Sequence, residues 1–452
     1  MRTFFWLTLL WIGFSSAGLA QSKAAWVNLF NGKDLTGWKQ LGGNARYEVK
    51  DGMIVGTSTL NTPNSFLTTE KNYGDFILEC EVFVDDRLNS GIQIRSLSKP
   101  DYQNGRVHGY QVEIDPSPRG WSAGIYDEAR RGWLYPVDIN PDAKTAFKNG
   151  QWNKYRIEAV GNTVQTFLNG VAVAHLIDDM TPSGFICLQV HSINKPDQNG
   201  TQVKWRNIRI QTTNPKLSPA APIRVVNLLP NHLSEPEKAQ GWKLLFDGTS
   251  ADQWRGHGIE GLPSQRWQVK DGELSVLKSD GSAKGNDLIT KQKFGRAFEF
   301  QFEFKLTEGA NSGVKYFVNE APGSKSLSGL GLEYQVLDDA KHPDAKMGAA
   351  GNRTLASLYD LIPAEKPGNS LKKIGEWNRG RLVVYPDGKV EHYLNEQLVL
   401  EYKRGGAIYR ALVARSKYKD IEGFGLAEGG HLLLQDHSDF VSFRSLKVKE
   451  LP

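Results

Sequence analysis

Two cysteines, Cys80 and Cys187, are all that this chain contains. That excludes a disulfide framework, and neither cysteine has a partner at ligand spacing, which argues against a thiolate metal centre or a catalytic thiol. Both sit in apolar, strand-like runs and read as buried thiols. Charge of one sign is also scarce. Lys and Arg number 55 against 50 Asp and Glu, a net +5 with no basic blocks, so nucleic acid and anionic membranes are not expected partners. No apolar run beyond the N-terminus is long enough to span a bilayer, and no transmembrane segment is expected. Walker and dinucleotide-binding glycine patterns are missing, as are HExxH and GxSxG. Nucleotide cofactors and serine-hydrolase chemistry therefore find no support. Amphipathic helical periodicity is absent too.

What is present begins with Arg2, an apolar run over 4–14 and small residues ending at Ala20. This layout predicts a secretory signal peptide over 1–20, cut near Ala20, and hence a periplasmic or secreted protein. No cysteine follows the cut, so a lipid anchor is not indicated.

The remainder is written twice. Phe30-Asn31-Gly32 returns as Phe246-Asp247-Gly248, Val49-Lys50-Asp51-Gly52 as Val269-Lys270-Asp271-Gly272, and Asn89-Ser90-Gly91 as Asn311-Ser312-Gly313. Trp152-Asn153 returns as Trp377-Asn378, Leu168-Asn169 as Leu394-Asn395, and Leu188 to His191 as Leu434 to His437. The order is kept throughout, which predicts a duplicated domain. The copies are placed at 24–212 and 241–450. Between them 213–240 carries Pro215, Pro219, Pro222, Pro230 and Pro236 and reads as a linker, with 223–229 apolar enough to dock on a domain surface.

Within each copy the hydrophobic period is two, as in 76–84, 164–168 and 390–394, and Asn169-Gly170 and Asp387-Gly388 are hairpin turns. About ten short strands per copy predict an all-β fold of two sandwich or jelly-roll domains in tandem.

Alternation then sorts the side chains. In the second copy, 331–344 (GLEYQVLDDAKHPD) sets Glu333 and Gln335 on one face and Tyr334 and Val336 on the other. Gln435 and His437 share a face, Lys315 stands in the adjoining strand, and Asn311 heads it. In the first copy Gln111, Glu113 and Asp115 face one way, with Gln93 and Arg95, and with Gln189 and His191, on neighbouring strands headed by Asn89. Amide, imidazole and carboxyl groups gathered on one sheet face predict a polar binding cleft in each copy. The Glu and Gln of the first cleft exchange order in the second. Loop 119–136 adds Tyr126 to the first cleft and loop 353–359 adds Tyr359 to the second. Aromatic rings beside carboxylates and amides suit a sugar. Asp338, Asp339, His342 and Asp344 form a group whose hard oxygen donors would suit Ca²⁺ or a similar divalent cation.

These residues carry a family likeness. FNGKDLTGW, VKDGMIVG, NSGIQIRS, GYQVEIDPSPRGWSAGIYDE and LQVHS in the first copy, and LFDG, NSGVKYF, GLEYQVLDDAKHPDA, EWN, EHYLN and LLLQDHSDFVSFRSLKV in the second, resemble the 3-keto-disaccharide hydrolase domain family. The resemblance covers nearly all of the chain beyond residue 20. It implies concanavalin- or laminin-G-like jelly rolls, export, and action on an oxidised carbohydrate, a glycoside bearing a ketone at C3. A ketone there acidifies the C2 proton, so a base gives an enolate that expels the C1 substituent, and water adds back. On this reading His437 or Glu333 is the base, with Gln335, Gln435, Lys315 and Asn311 holding the sugar or polarising its ketone. Tyr359 or Asp338 protonates the leaving oxygen. The first-copy counterparts are His191, Glu113 and Tyr126 for chemistry, and Gln111, Gln189, Arg95, Gln93, Asn89 and Asp115 for binding. The same sandwich also serves lectins and laminin-G-type adhesion modules. The alternatives are therefore a non-catalytic carbohydrate-binding protein, one catalytic copy beside one binding copy, or a protein-recognition scaffold.

Overall fold

A computed structural model describes residues 26–280, 284–320, 326, 328–368 and 371–452; the signal-like segment 1–20 lies outside the described residues. The chain folds as two all-β sandwiches, each made of two antiparallel sheets face to face. The first pairs a nine-stranded with a seven-stranded sheet, and the second an eight-stranded with a five-stranded sheet. Each has a continuous apolar core of its own. Tyr110, Val112, Ile114 and Trp205 lie in one; Tyr334, Val336, Phe300 and Phe443 lie in the other. Period-two sequence turns one face of the long strands into these cores.

The smaller sheet of each sandwich carries the same central trio. In the first copy His108–Ile114 pairs with Ser90–Leu97, which pairs with Phe185–Val190. In the second, Leu332–Leu337 pairs with Asn311–Val318, which pairs with His431–Leu434. Gly91 stands opposite Glu113 and Gly313 opposite Gln335. The register therefore makes Glu113 the twin of Gln335, and Gln111 the twin of Glu333: the acid and the amide have changed columns.

The linker is not loose. Val226–Asn227 joins the edge of the first large sheet, parallel to Val171–Ile177. Arg224 ion-pairs with Glu299 at 2.5 Å and Glu396 at 3.2 Å, both in the second copy, while its carbonyl accepts from Tyr135 of the first. Glu396 occupies the turn position of Gly170 and takes a left-handed φ of +66°, a conformation ordinarily left to glycine. Its carboxylate also pairs with Arg379. Both cysteines are free and buried.

One excursion has no counterpart. From Leu168 to Leu188 is 20 positions, and from Leu394 to Leu434 it is 40. The additional chain, 404–430, holds the short helix Ala407–Val413 and folds back towards the five-stranded sheet.

Candidate active site

In the second copy the trio forms the floor of a cavity of about 190 Å³. Glu333, Gln335, Lys315, Gln435 and Asn311 supply the floor and sides, and His437 stands at the rim. Tyr359 enters from the loop after the Leu332–Leu337 strand, and Lys417 and Tyr418 come from the 404–430 excursion. Sequence reasoning missed these last two. The doubled interval between Leu394 and Leu434 was the signal that could have found them.

Glu333 is 5% exposed. Burial raises its pKa above the ordinary carboxylate range, while the ammonium groups of Lys315 and Lys417 pull the other way. Lys315 Nζ lies 4.0 Å from Glu333 Oε2 and 3.9 Å from Asp287 Oδ2, and donates to the Gly329 carbonyl. Asp287 is itself buried and accepts from the amides of Gly329 and Asp436. The Asp436 carboxylate holds Arg266 through two 2.7 Å bonds. Lys417 Nζ is caught between two rings, 4.2 Å from the centroid of Tyr359 and 5.1 Å from that of Tyr418. Burial lowers its pKa, against the pull of Glu333 and Asp360. Asp360 also accepts from the Lys417 backbone amide and from Arg353, tying the excursion to the loop that carries Tyr359. Tyr418 stacks on Phe424 with centroids 3.9 Å apart. Burial and a hydrogen bond to Asp344 raise the pKa of Tyr359, so its phenol keeps its proton.

The first copy gathers Gln93, Gln111, Glu113, Gln189 and Asn89 just as closely, but they spend their hydrogen bonds on one another. Gln93 and Gln189 both donate to Gln111 Oε1; Gln111 and Asn89 both donate to Glu113. Burial pushes the Glu113 carboxyl up to about 7. Arg119 lies over Trp121 and Trp133 and reaches Glu113 at 3.5 Å. Tyr126 packs edge-on against Trp133. His191, Asn89 and Asp115 instead line a separate polar cleft of about 510 Å³ at the end of the sheet, beside Asp86 and Arg87.

Three placements differ from the sequence reading. Arg95 points away from the cleft: it is 1% exposed and donates to the carbonyls of Gly74 and Gly161 and to Asp75. A β-bulge with φ +45° at Arg95 breaks the alternation on which its assignment rested, and its twin Phe317, φ +55°, turns into the core by the same device. Asp338 is not at the cleft either, because its carboxylate caps a turn and accepts from the amides of Gly309, Ala340 and Lys341. The proposed cation group does not assemble. Asp339 binds Lys366 and the Leu355 amide, Asp344 binds Arg353, and of the four only His342 faces His437.

Comparison with known families fits this duplicated architecture. Residues 25–211 and 241–449 each match the 3-keto-alpha-glucoside-1,2-lyase-like domain. The chain belongs to that family. Among its relatives is a 3-keto-disaccharide hydrolase of Bacteroides thetaiotaomicron, 38% identical over 242 residues, which cover 48% of this chain and 81% of the relative. A solved structure from Parabacteroides distasonis is 29% identical, with a TM-score of 0.44, spanning 50% of this chain and all of that one. The carbohydrate binding module CBM66 from Bacillus subtilis aligns at 15% identity and a TM-score of 0.29, over 39% of this chain and 96% of the module. Family membership puts both copies under one ancestry, while the carboxyl on the central strand opens into a cavity at Glu333 of the second copy and is bonded to neighbouring amides at Glu113 of the first.

Proposed function

We propose that the protein is a glycoside-cleaving enzyme acting on 3-keto-glycosides in the cavity of its second copy. Membership of the family and the name of the Bacteroides relative support the substrate class. The observation that carries the assignment is Glu333, a buried carboxyl of raised proton affinity facing two ammonium groups in a cavity of one-ring size. Such a group is suited to removing a proton beside a ketone.

Glu333 takes the C2 proton. The C–H electrons become the C2=C3 bond, and the ketone oxygen becomes an enolate that Lys417 and Lys315 stabilise as charge develops. The enolate collapses back to the ketone, the C2=C3 electrons move to C1=C2, and the C1–O bond breaks. Tyr359 gives its phenolic proton to the departing oxygen and recovers one from water. That same water, having passed its proton to the Tyr359 phenolate, adds as hydroxide at C1, and Glu333 returns the proton to C2, so the sum is hydrolysis. Gln335, Gln435 and Asn311 hold hydroxyls, and His437 meets the sugar at the rim. Glu333 is preferred to His437 as base because it lies on the floor, shielded from water.

The mutually bonded floor of the first copy, where only Gln189 Oε1 is left without a partner among the described residues of that cluster, favours division of labour, with one catalytic copy and one that binds carbohydrate or only supports. Export through the 1–20 segment is part of the proposal, and the N-terminal mass of the secreted protein tests it. For the activity, the purified chain is incubated with a 3-keto-disaccharide and with its unoxidised parent. Monosaccharide released from the first and not the second is expected; release from neither sinks the reading.

A further inference from the structure

We propose that His342, His437 and Asp439 bind a divalent transition ion of the Zn²⁺ or Mn²⁺ class at the mouth of the second copy's cavity. One ligand atom from each of the three lies within 4.8 Å of the others. The two imidazoles stand almost perpendicular, with centroids 5.8 Å apart, so their nitrogens converge without the rings stacking. Asp439 is oriented from behind, one oxygen accepting from the Asn311 amide at 3.0 Å, the outer support that ligating carboxylates commonly have. The place also holds an unmet acceptor, one that a sugar hydroxyl of the function proposed above or a water on the ion would satisfy. Asn311 is 4% exposed and lines the same cavity as His437, yet its Oδ1 has no hydrogen-bond partner among the described residues. A buried acceptor left bare costs about 1–3 kcal/mol unless something arrives to meet it.

The first copy shows what the site would look like without the ion. His191, the twin of His437, is kept, but Ile193 stands where Asp439 does, and the 115–124 stretch after the matching strand has no histidine. The ligand set is thus complete only in the second copy, although His191 too lines a cleft. Two imidazoles with one carboxylate suit Zn²⁺, Mn²⁺ or Fe²⁺ better than Ca²⁺, which prefers oxygen throughout. Three protein donors leave coordination positions open towards the cavity, where a sugar oxygen would enter. Only that last point rests on the function proposed above. Binding has one local cost. The Asp344 amide donates to His342 Nδ1 at 3.2 Å, and coordination through Nε2 puts the ring proton on Nδ1 and gives up this long hydrogen bond.

The test uses the full chain stripped with chelator and titrated calorimetrically with Zn²⁺ or Mn²⁺ alone, with metal counted by elemental analysis. One saturable equivalent is expected in the wild type and in Glu333→Gln. His342→Ala and Asp439→Asn, checked for unchanged melting temperature, should each weaken it by about 100-fold. No saturable binding, or binding that survives both substitutions, overturns the inference. Neither result depends on turnover, so a protein that takes up no saturable metal yet cleaves 3-keto-sugars sinks this site alone. A metal-loaded protein that cleaves nothing sinks only the function proposed above.

Discussion

Gly313 lies beneath Glu333, so close that a Cβ on the glycine would fall inside the contact radius of the Glu333 carboxylate. Its twin Gly91 lies beneath Gln111 in the same way, with Gln111 Cδ at 2.5 Å from such a Cβ. The bare backbone lets the side chain fold flat across the neighbouring strand. Gly313→Ala should therefore displace the carboxylate while leaving the sheet paired. A misplacement of about 1 Å can cost roughly 100-fold, so kcat is expected to fall by one to two orders of magnitude, with a cooperative melt retained. Unchanged kcat would detach Glu333 from the chemistry.

Glu333→Gln keeps the shape and removes the base proposed above. Turnover of a 3-keto-disaccharide should drop by about 10²- to 10⁴-fold. Glu113→Gln, in the first copy, should leave kcat within about twofold, because Glu113 is enclosed by its own amides. Equal losses from the two substitutions would assign catalysis to both copies.

The pH profile follows from the same burial. Desolvation raises the Glu333 pKa, and a base must be ionised to act. The acid limb of kcat/KM is thus expected to bend at a pH above the ordinary glutamate range of about 4.3, with activity lost as pH falls. An acid limb at or below that range speaks for another base.

Arg224 holds Glu299 and Glu396, whose pKa values are each lowered to about 2 despite burial, through its guanidinium and those of Arg381 and Arg379. Arg224→Ala strands part of that negative charge and should destabilise the chain by about 3–5 kcal/mol, read as a fall in denaturant midpoint. The sign with pH is fixed. Both carboxyls have depressed folded pKa values, so their contribution is present above about 4.5 and is lost as pH falls towards 2.

His392 supplies an independent check. Burial lowers its pKa to about 4 from 6.5, and it is packed among Tyr316, Tyr334 and Tyr402. The unfolded chain takes up this proton below pH 6.5 and the folded chain does not until about 4. Stability should therefore decline across that window, by at most about 1.4 kcal/mol per pH unit, and His392→Phe should flatten the decline.

Much of this arrangement was legible from residue order. Repeated landmarks disclosed two copies, and period-two patterning disclosed sandwiches and put Glu333, Gln335, Lys315 and Gln435 on one surface. Legibility ended where a backbone departs from regularity. Alternation cannot anticipate the bulge that turns Arg95 away, nor does a run of acids reveal which will cap a turn, as Asp338 does. Asp287 stands behind Lys315 through a contact remote in sequence, with no local pattern to announce it. The cation group failed for a related reason: side chains adjacent along the chain diverged, whereas His437 and Asp439 approached His342 from another strand end.

The part of the cavity's roof that Lys417 and Tyr418 supply comes from one uninterrupted stretch, 404–430, while Tyr359 enters from another loop and the base is assembled from three separate strands. These parts can therefore be inherited at different rates. Substitutions or length changes in the roof can alter what the cavity admits without disturbing the strand pairing that aims the Glu333 carboxylate. A lineage of such proteins should diversify fastest between Lys403 and His431, and transplanting that stretch into the shorter copy is the natural first step towards giving it an enclosure of its own.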